Sequence, residues 1–363
     1  MPQQKTPLPF RIDVSDQTLD DLRDRLHNTR FSLTETPGDS GISPDHLREI
    51  VDHWLHRYHW REHEARLNRY PQFTIDVGGD TVHFVHIRSL NPRARAIVLS
   101  HGWPYSFAEM LPLADVLTEF DVVVPSLPGY AFSSLPASGP VTKPGIAETW
   151  HELMTSVLGY DSYLTYGEDV GAGVSDWLAA AHPEAVDGIF ATHAAFTPDS
   201  RRVGESHAET EFFEWFAAKW TRSFGYSAIQ ATRPDTLAAS LNDSPAGLAA
   251  WMIEKLDAWS DDGSLTLDSQ LTTVMLYWIS GCIGSSFRAY YDSSPLPELP
   301  VITVPAAVAV QVGESKYPRE MAERNYLDLR GFSHLERGGH FTAAEAPDLL
   351  AQDIRRFVAT LEE

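Results

Sequence analysis

Residues 166–173 read Tyr-Gly-Glu-Asp-Val-Gly-Ala-Gly. The spacing of Gly167, Asp169 and Gly171 is that of a strand turned sharply into a helix, with one side chain held out at the bend. Small residues are needed on both sides of such a bend because two backbones pass close together there. The side chain so displayed is usually a serine hydroxyl; here it is a carboxylate. A carboxylate suits attack on a strained or activated sp³ carbon, giving an alkyl ester, and does not suit amide hydrolysis. The chain contains no Gly-x-Ser-x-Gly, so a serine esterase would have no nucleophile.

An ester on Asp169 must be hydrolysed, which requires an oxyanion hole and an activated water. The run His101-Gly102-Trp103-Pro104 follows the apolar segment Ala96–Ser100. A turn there aims the Trp103 amide across the site, and the amide of Val170 is the second donor. His340 stands in the glycine-rich run Arg337-Gly-Gly-His-Phe341 and is the candidate general base. An acid between Asp169 and His340 completes a nucleophile–acid–histidine order. Glu314, just past the apolar run 306–312, is favoured for that role, with Asp328 and Glu336 as alternatives. When Asp169 attacks, the leaving oxygen or halide needs a donor on the opposite side. Tyr226 and Tyr290, both in aromatic-rich helical stretches, could donate as neutral phenols. The run Glu211–Trp220 suggests an aromatic pocket wall, with Phe212, Trp215 and Phe216 as lining residues beside Trp103.

These groups need a scaffold. The first 74 residues are expected to form a helical extension, with Ser15 and Ser43 as helix caps and Pro44 at a first helical position. This arm is expected to wrap the core. Segments 73–77 and 81–87 alternate in polarity around Gly78-Gly79-Asp80 and read as a hairpin. From Ala96 onward, short apolar runs alternate with helical patterns, as in an α/β fold with a mainly parallel sheet. Strand signals stop after Ala194 and resume near Pro300. The aromatic helices between them read as a lid over the carboxyl ends of the strands, where ligands of open sheets bind. The expected divisions are 1–74, 75–196, 197–298 and 299–363.

The formal charge of −22 disfavours nucleic acid and anionic membrane surfaces. Neither an apolar leader nor a membrane span is found, and a soluble cytoplasmic protein is expected. The one cysteine, Cys282, excludes an internal disulfide and reads as a small buried hydrophobe. His59-Trp60-Arg61-Glu62-His63 matches an inverted zinc-peptidase pattern, but no third ligand follows, so neither metal nor organic cofactor is expected. Nothing in the sequence sets the oligomeric state, and a homo-oligomer is compatible with it.

Beyond these motifs the chain resembles the microsomal-type epoxide hydrolases of the α/β-hydrolase superfamily, N-terminal extension included. The resemblance is carried by residues 9–26, 60–74, 101–104, 128–133, 233–255, 271–291 and 337–354. It implies an α/β-hydrolase fold and conversion of an epoxide to a vicinal diol by water. Asp169 falls on the family's nucleophile, His340 on its histidine, Trp103 and Val170 on its oxyanion-hole amides. Tyr226 and Tyr290 fall on its epoxide-activating tyrosines, and Glu314 on its acid after one residue of gap. The chain departs from the family in having Glu168 before the nucleophile, Val170 in place of tryptophan after it, and Val312-Gly313 before Glu314. Its lid is shorter than in vertebrate members, and no membrane anchor precedes the extension. Two rival readings are a haloalkane dehalogenase, whose halide grip calls for a side-chain donor that Val170 lacks, and a non-catalytic ligand-binding relative.

Overall fold

Runs such as Ala96–Ser100 and Asp121–Pro125 are buried along their whole length, as strands covered by helices on both faces must be. The computed structural model describes residues 6–36, 40–137, 139–202, 204–261, 263–293, 297–312 and 316–362. Along the chain, β1 (Leu8–Phe10) precedes helices α1 (Asp16–His27), α2 (Pro44–His56) and α3 (Trp60–Leu67). Strands β2 (Gln72–Val77), β3 (Asp80–Ile87) and β4 (Ala96–Ser100) lead through α4 (Leu111–Val116) to β5 (Asp121–Pro125). Helix α5 (Lys143–Glu152), β6 (Tyr163–Gly167), α6 (Val170–Ala181) and β7 (Val186–Ala191) follow.

A helical stretch then separates β7 from β8 (Ile302–Val310). It contains α7 (His207–Ser223), α8 (Gly225–Thr232), α9 (Pro234–Leu241) and α10 (Pro245–Trp259), then α11 (Leu267–Ser280), α12 (Ile283–Ser286) and α13 (Arg288–Tyr291). After β8 come α14 (Arg319–Asn325), β9 (Tyr326–His334), α15 (Thr342–Glu345) and α16 (Pro347–Ala359). The nine strands form one sheet in the order β1-β2-β3-β5-β4-β6-β7-β8-β9. Pairing is antiparallel from β1 to β5 and parallel from β5 to β9.

Two features differ from the sequence reading. The arm is not wholly helical: β1 pairs with β2, Leu8 opposite Thr74. Three residues are too few to show a period, and Pro9 is tolerated because the strand lies at the sheet edge. The arm's helices also bear on the inserted helices rather than simply wrapping the sheet. His46 meets Asp257 of α10, His53 Nε2 lies 2.7 Å from Asp268 Oδ1 of α11, and Tyr58 pairs with Thr272. Arg25 donates to the Asp243 carbonyl just before α10. Buried Leu19, Leu22 and Leu26 of α1 with Ile50, Val51 and Trp54 of α2 supply the apolar faces of the arm. The insertion is thus held from outside as well as from the sheet.

Candidate active site

Chain segments leaving the carboxyl ends of the parallel strands converge on one point. Ser100, Gly167 and Ala191 are register partners across β4, β6 and β7, and site residues lie just beyond each. Asp169 caps α6 with φ 53° and ψ −117°. That conformation costs an L-residue about 1–3 kcal/mol and lifts the carboxylate clear of its helix. A Cβ on Gly167 would lie 2.1 Å from the Gly171 carbonyl oxygen, and one on Gly171 2.2 Å from that of Ser100. Contact, not flexibility, requires glycine at both places.

The Asp169 carboxylate rests against the turn that follows β4. The Trp103 amide donates to Oδ1 at 3.0 Å, and the Val170 amide, the next along the chain, helps to keep the carboxylate charged. Beneath the turn, the Leu127 amide donates to His101 Nε2 at 3.0 Å, so Nδ1 carries the hydrogen given to the Gly102 carbonyl. Burial pushes the His101 ring down to about 4, which keeps it neutral and the turn fixed.

His340 faces Asp169, with Nε2 3.6 Å from Oδ2. Its own amide donates to the Trp259 carbonyl at the end of α10. Glu345 accepts from the amides of Gly339, Phe341 and Asp261, so one carboxylate organises the loop on both sides of the histidine. Burial works against the charged form of Asp169. The His340 ring and the amides of Trp103 and Val170 outweigh it and hold the carboxyl at about 2. Asp169 is therefore an anion at neutral pH.

Tyr226 of α8 and Tyr290 of α13 line the same cavity, with ring centroids 6.0 Å apart. Tyr226 stacks on the Trp103 indole at 5.1 Å. Burial, reinforced by the charge of Asp169, holds Tyr290 well above the usual phenol range, so it stays protonated. The cavity measures 720 Å³ and is walled in part by Trp215, Phe216, Trp177 and Leu299. Of the four residues expected to line it, Trp215 and Phe216 do so, whereas Trp103 and Phe212 stand behind the wall. The Trp103 ring is covered by Tyr226, and Phe212 packs against Phe196 and Tyr317.

Glu314 lies outside the described residues. Asp328 sits in the N-terminal half of β9, opposite Pro305 and held by Arg330, at the wrong end of the sheet to reach His340. Glu336 is exposed. His193 Nε2 approaches His340 Nδ1 at 3.1 Å, and Gln311 Nε2 lies 3.3 Å from His193. His193, Gln311 and Glu345 escaped the sequence reading. The first two could have been found from their places just past apolar strands, and Glu345 from the many amides of a glycine-rich loop that need an acceptor. The His59/His63 pattern serves packing: His63 stacks on Tyr58 at 4.4 Å, and its Nδ1 meets the Thr272 hydroxyl. Cys282 is buried, and its thiol is pushed up to about 11 by that burial.

A carboxylate with the Trp103 amide on one oxygen, a histidine facing the other and two phenols across an aromatic cavity suits ring opening followed by ester hydrolysis. The profile for the epoxide hydrolase N terminus matches residues 7–110, and that for the alpha/beta hydrolase fold matches residues 95–252. Epoxide hydrolase 1 of Sus scrofa is 32% identical over 98% of this chain and 89% of its own length. The chain belongs to the epoxide hydrolase family. Juvenile hormone epoxide hydrolase 2 of Ctenocephalides felis is 33% identical over 95% of this chain and 84% of its own. Among solved structures, the Aspergillus niger epoxide hydrolase superposes with a TM-score of 0.89 at 29% identity, over 99% of this chain and 97% of that one. No helix among the described residues is long and apolar enough to cross a membrane.

Glu168 adds a second carboxyl directly before Asp169. It is fully buried. Its Oε1 accepts from the Tyr166 hydroxyl at 2.5 Å and from the Ala343 amide at 2.8 Å, while the Tyr105 hydroxyl lies near without reaching hydrogen-bond geometry. Burial, only partly opposed by those bonds and by His340, raises this carboxyl to about 7. The folded chain then binds a proton that the unfolded chain releases near pH 4.5. The stability contributed by that proton is present at acid pH and falls as pH rises from that value toward 7. Glu168→Gln keeps an oxygen acceptor and should flatten this slope. Its free energy of unfolding should lose on the order of 1–3 kcal/mol less than the wild type between about pH 5 and about pH 8, as measured by urea titration. Equal slopes in the two proteins would mean that Glu168 is ionised throughout.

Proposed function

We propose that this chain hydrolyses an epoxide to a vicinal diol through a covalent ester on Asp169. The observation that carries the reading is the division of labour at one carboxylate. Oδ1 is held by the Trp103 amide, while Oδ2 faces the cavity and His340. In the first step Oδ2 attacks an epoxide carbon, the C–O bond breaks, and Tyr226 or Tyr290 gives its proton to the opening oxygen. In the second, His340 takes a proton from water, whose oxygen attacks the Asp169 carbonyl carbon. The negative charge of the tetrahedral intermediate forms on Oδ1, where the Trp103 amide already stands, with Val170 proposed as the second donor; a donor so placed contributes about 3–4 kcal/mol. Collapse breaks the bond from the ester carbonyl carbon to the product oxygen, which takes the His340 proton as the diol leaves, and the proton brought by water onto the Asp169 carboxyl restores the phenol.

Glu314 is proposed as the acid that orients His340. It is three residues past Gln311, within about 10 Å of extended chain, and Gln311 reaches His193 against the histidine's Nδ1. The helices between β7 and β8 act as the lid, with divisions near residues 74, 196 and 298. Substrate is a small epoxide, and water is the second reactant.

The test is a single turnover in ¹⁸O-water with enzyme in excess. The label should enter the peptide bearing Asp169 and not the diol, because water attacks the ester carbonyl. Label in the diol with an unlabelled peptide would mean direct attack of water on the epoxide.

A further inference from the structure

The chain has 5 lysines in 363 residues, against 50 acidic groups. Two of the five, Lys143 and Lys219, line the catalytic cavity, and among the described residues no arginine does. A third, Lys255, has its ammonium 5.1 Å from the Tyr226 ring centroid and 2.7 Å from Glu254. Lys143 and Lys219 are half-buried; an aromatic cavity has no need of ammonium groups for packing, and even their partial withdrawal from water carries a cost. Their concentration here, in so acidic a molecule, points to a ligand.

Lys143 is the better placed of the two. It is the first residue of α5, and its side chain is laid across Gly173 of α6. A Cβ at Gly173 would come within 2.5 Å of Lys143 Cδ and 3.0 Å of Nζ. Glycine thus leaves a groove through which the ammonium reaches the cavity wall. Gly173 is four residues past Asp169, about 6 Å along the helix axis. The acid on the same wall besides Asp169, which the Trp103 amide and His340 already engage, is Asp176; it accepts from Tyr326 at 2.8 Å, and burial raises it to about 7 despite Lys143. It therefore neutralises Lys143 incompletely. Lys219 enters from α7, its ammonium 5.2 Å from the Trp215 ring.

We propose that Lys143 and Lys219 form an anion subsite and that the cavity takes epoxides bearing a carboxylate, placed about one helical turn from the attacked carbon. A single negative charge suits a wall otherwise made of Trp177, Trp215, Phe216 and Leu299, since a dianion would lose more hydration there. The turnover part of this inference rests on the epoxide-opening reading; the binding part does not.

An ω-epoxyalkanoate and its methyl ester should be compared on the wild type, Lys143→Met, Lys143→Arg and Lys219→Met. The wild type should favour the acid in kcat/KM by about ten-fold or more. Lys143→Met should remove most of that preference through KM for the acid, Lys143→Arg should restore it, and Lys219→Met should reduce it. Calorimetric titration with a saturated alkanoate and the matching primary alcohol is read beside it. The alkanoate should bind the wild type more tightly than the alcohol, and about ten-fold or more weaker to Lys143→Met. Alkanoate binding that depends on Lys143 in a protein that opens neither epoxide would leave the subsite standing and remove the reaction. Hydrolysis of acid and ester at equal efficiency, with alkanoate and alcohol bound alike, would remove the subsite and leave the reaction. Equal losses for acid and ester in both methionine variants would make the lysines structural and also overturn it.

Discussion

Asp169→Asn should lower kcat by roughly 10⁴-fold or more while leaving the fold in place. Asparagine is among the side chains best tolerated at positive φ, so the bend at φ 53° should persist. The amide oxygen can still accept from Trp103. What disappears is the free lone pair of Oδ2: an amide nitrogen delocalises its electrons into the carbonyl and does not attack an sp³ carbon at a useful rate. Diol formation and thermal unfolding should be measured on the same preparation, with mass spectrometry excluding deamidation back to Asp169. Lost turnover with a melting temperature within a few degrees of wild type supports covalent catalysis. A variant that keeps more than about a hundredth of wild-type kcat would show that water opens the ring directly, with no ester.

The groups brought together at the candidate site were legible in sequence where local backbone geometry dictates residue type. Gly167 and Gly171 flank Asp169 because no Cβ fits between β6, α6 and β4, a constraint that shows as a five-residue pattern even though the backbone excluding a Cβ at Gly171 is that of Ser100. The turn after β4 and the glycine loop around His340 are similar cases. Phe212 shows where this reasoning stops. It lies on the same helical stripe as Phe216 and Lys219, but one turn nearer the N-terminus, where the wall formed by Phe196 and Tyr317 replaces the cavity. The period of a helix identifies its face and not where along that face a cavity ends.

Glu168 illustrates the second limit. Its charge was visible before the nucleophile, but the Ala343 amide that holds it is 175 positions away. Glu345 likewise joins the end of α10 to the histidine loop across 84 positions. Such contacts depend on the register of the whole sheet and not on a local pattern. The same holds for the arm, whose caps at Ser15 and Ser43 could be read locally. Its docking through His53 and Tyr58 onto α11 could not.

His340→Gln separates the two halves of the proposed reaction. Ring opening draws on Asp169 Oδ2 and the two phenols, all of which the substitution leaves in place, and the Trp103 amide still holds Oδ1 when the ring facing Oδ2 is gone. Ester hydrolysis draws on a base that can take a proton from water, and glutamine has none. The variant should therefore form one equivalent of ester per site in a burst and then release diol roughly 10²–10⁴-fold more slowly than wild type. Rapid quenching followed by peptide mass spectrometry should show the mass of the epoxide added to the peptide bearing Asp169. The loop should survive, because Glu345 holds the amides of Gly339 and Phe341 without help from the imidazole. If steady turnover continued, the water would be activated elsewhere, and His193, 3.1 Å from His340, would be the first residue to test. If turnover and burst vanished together, His340 would be needed for the first step as well, its ring serving to hold the Asp169 carboxylate ready for attack.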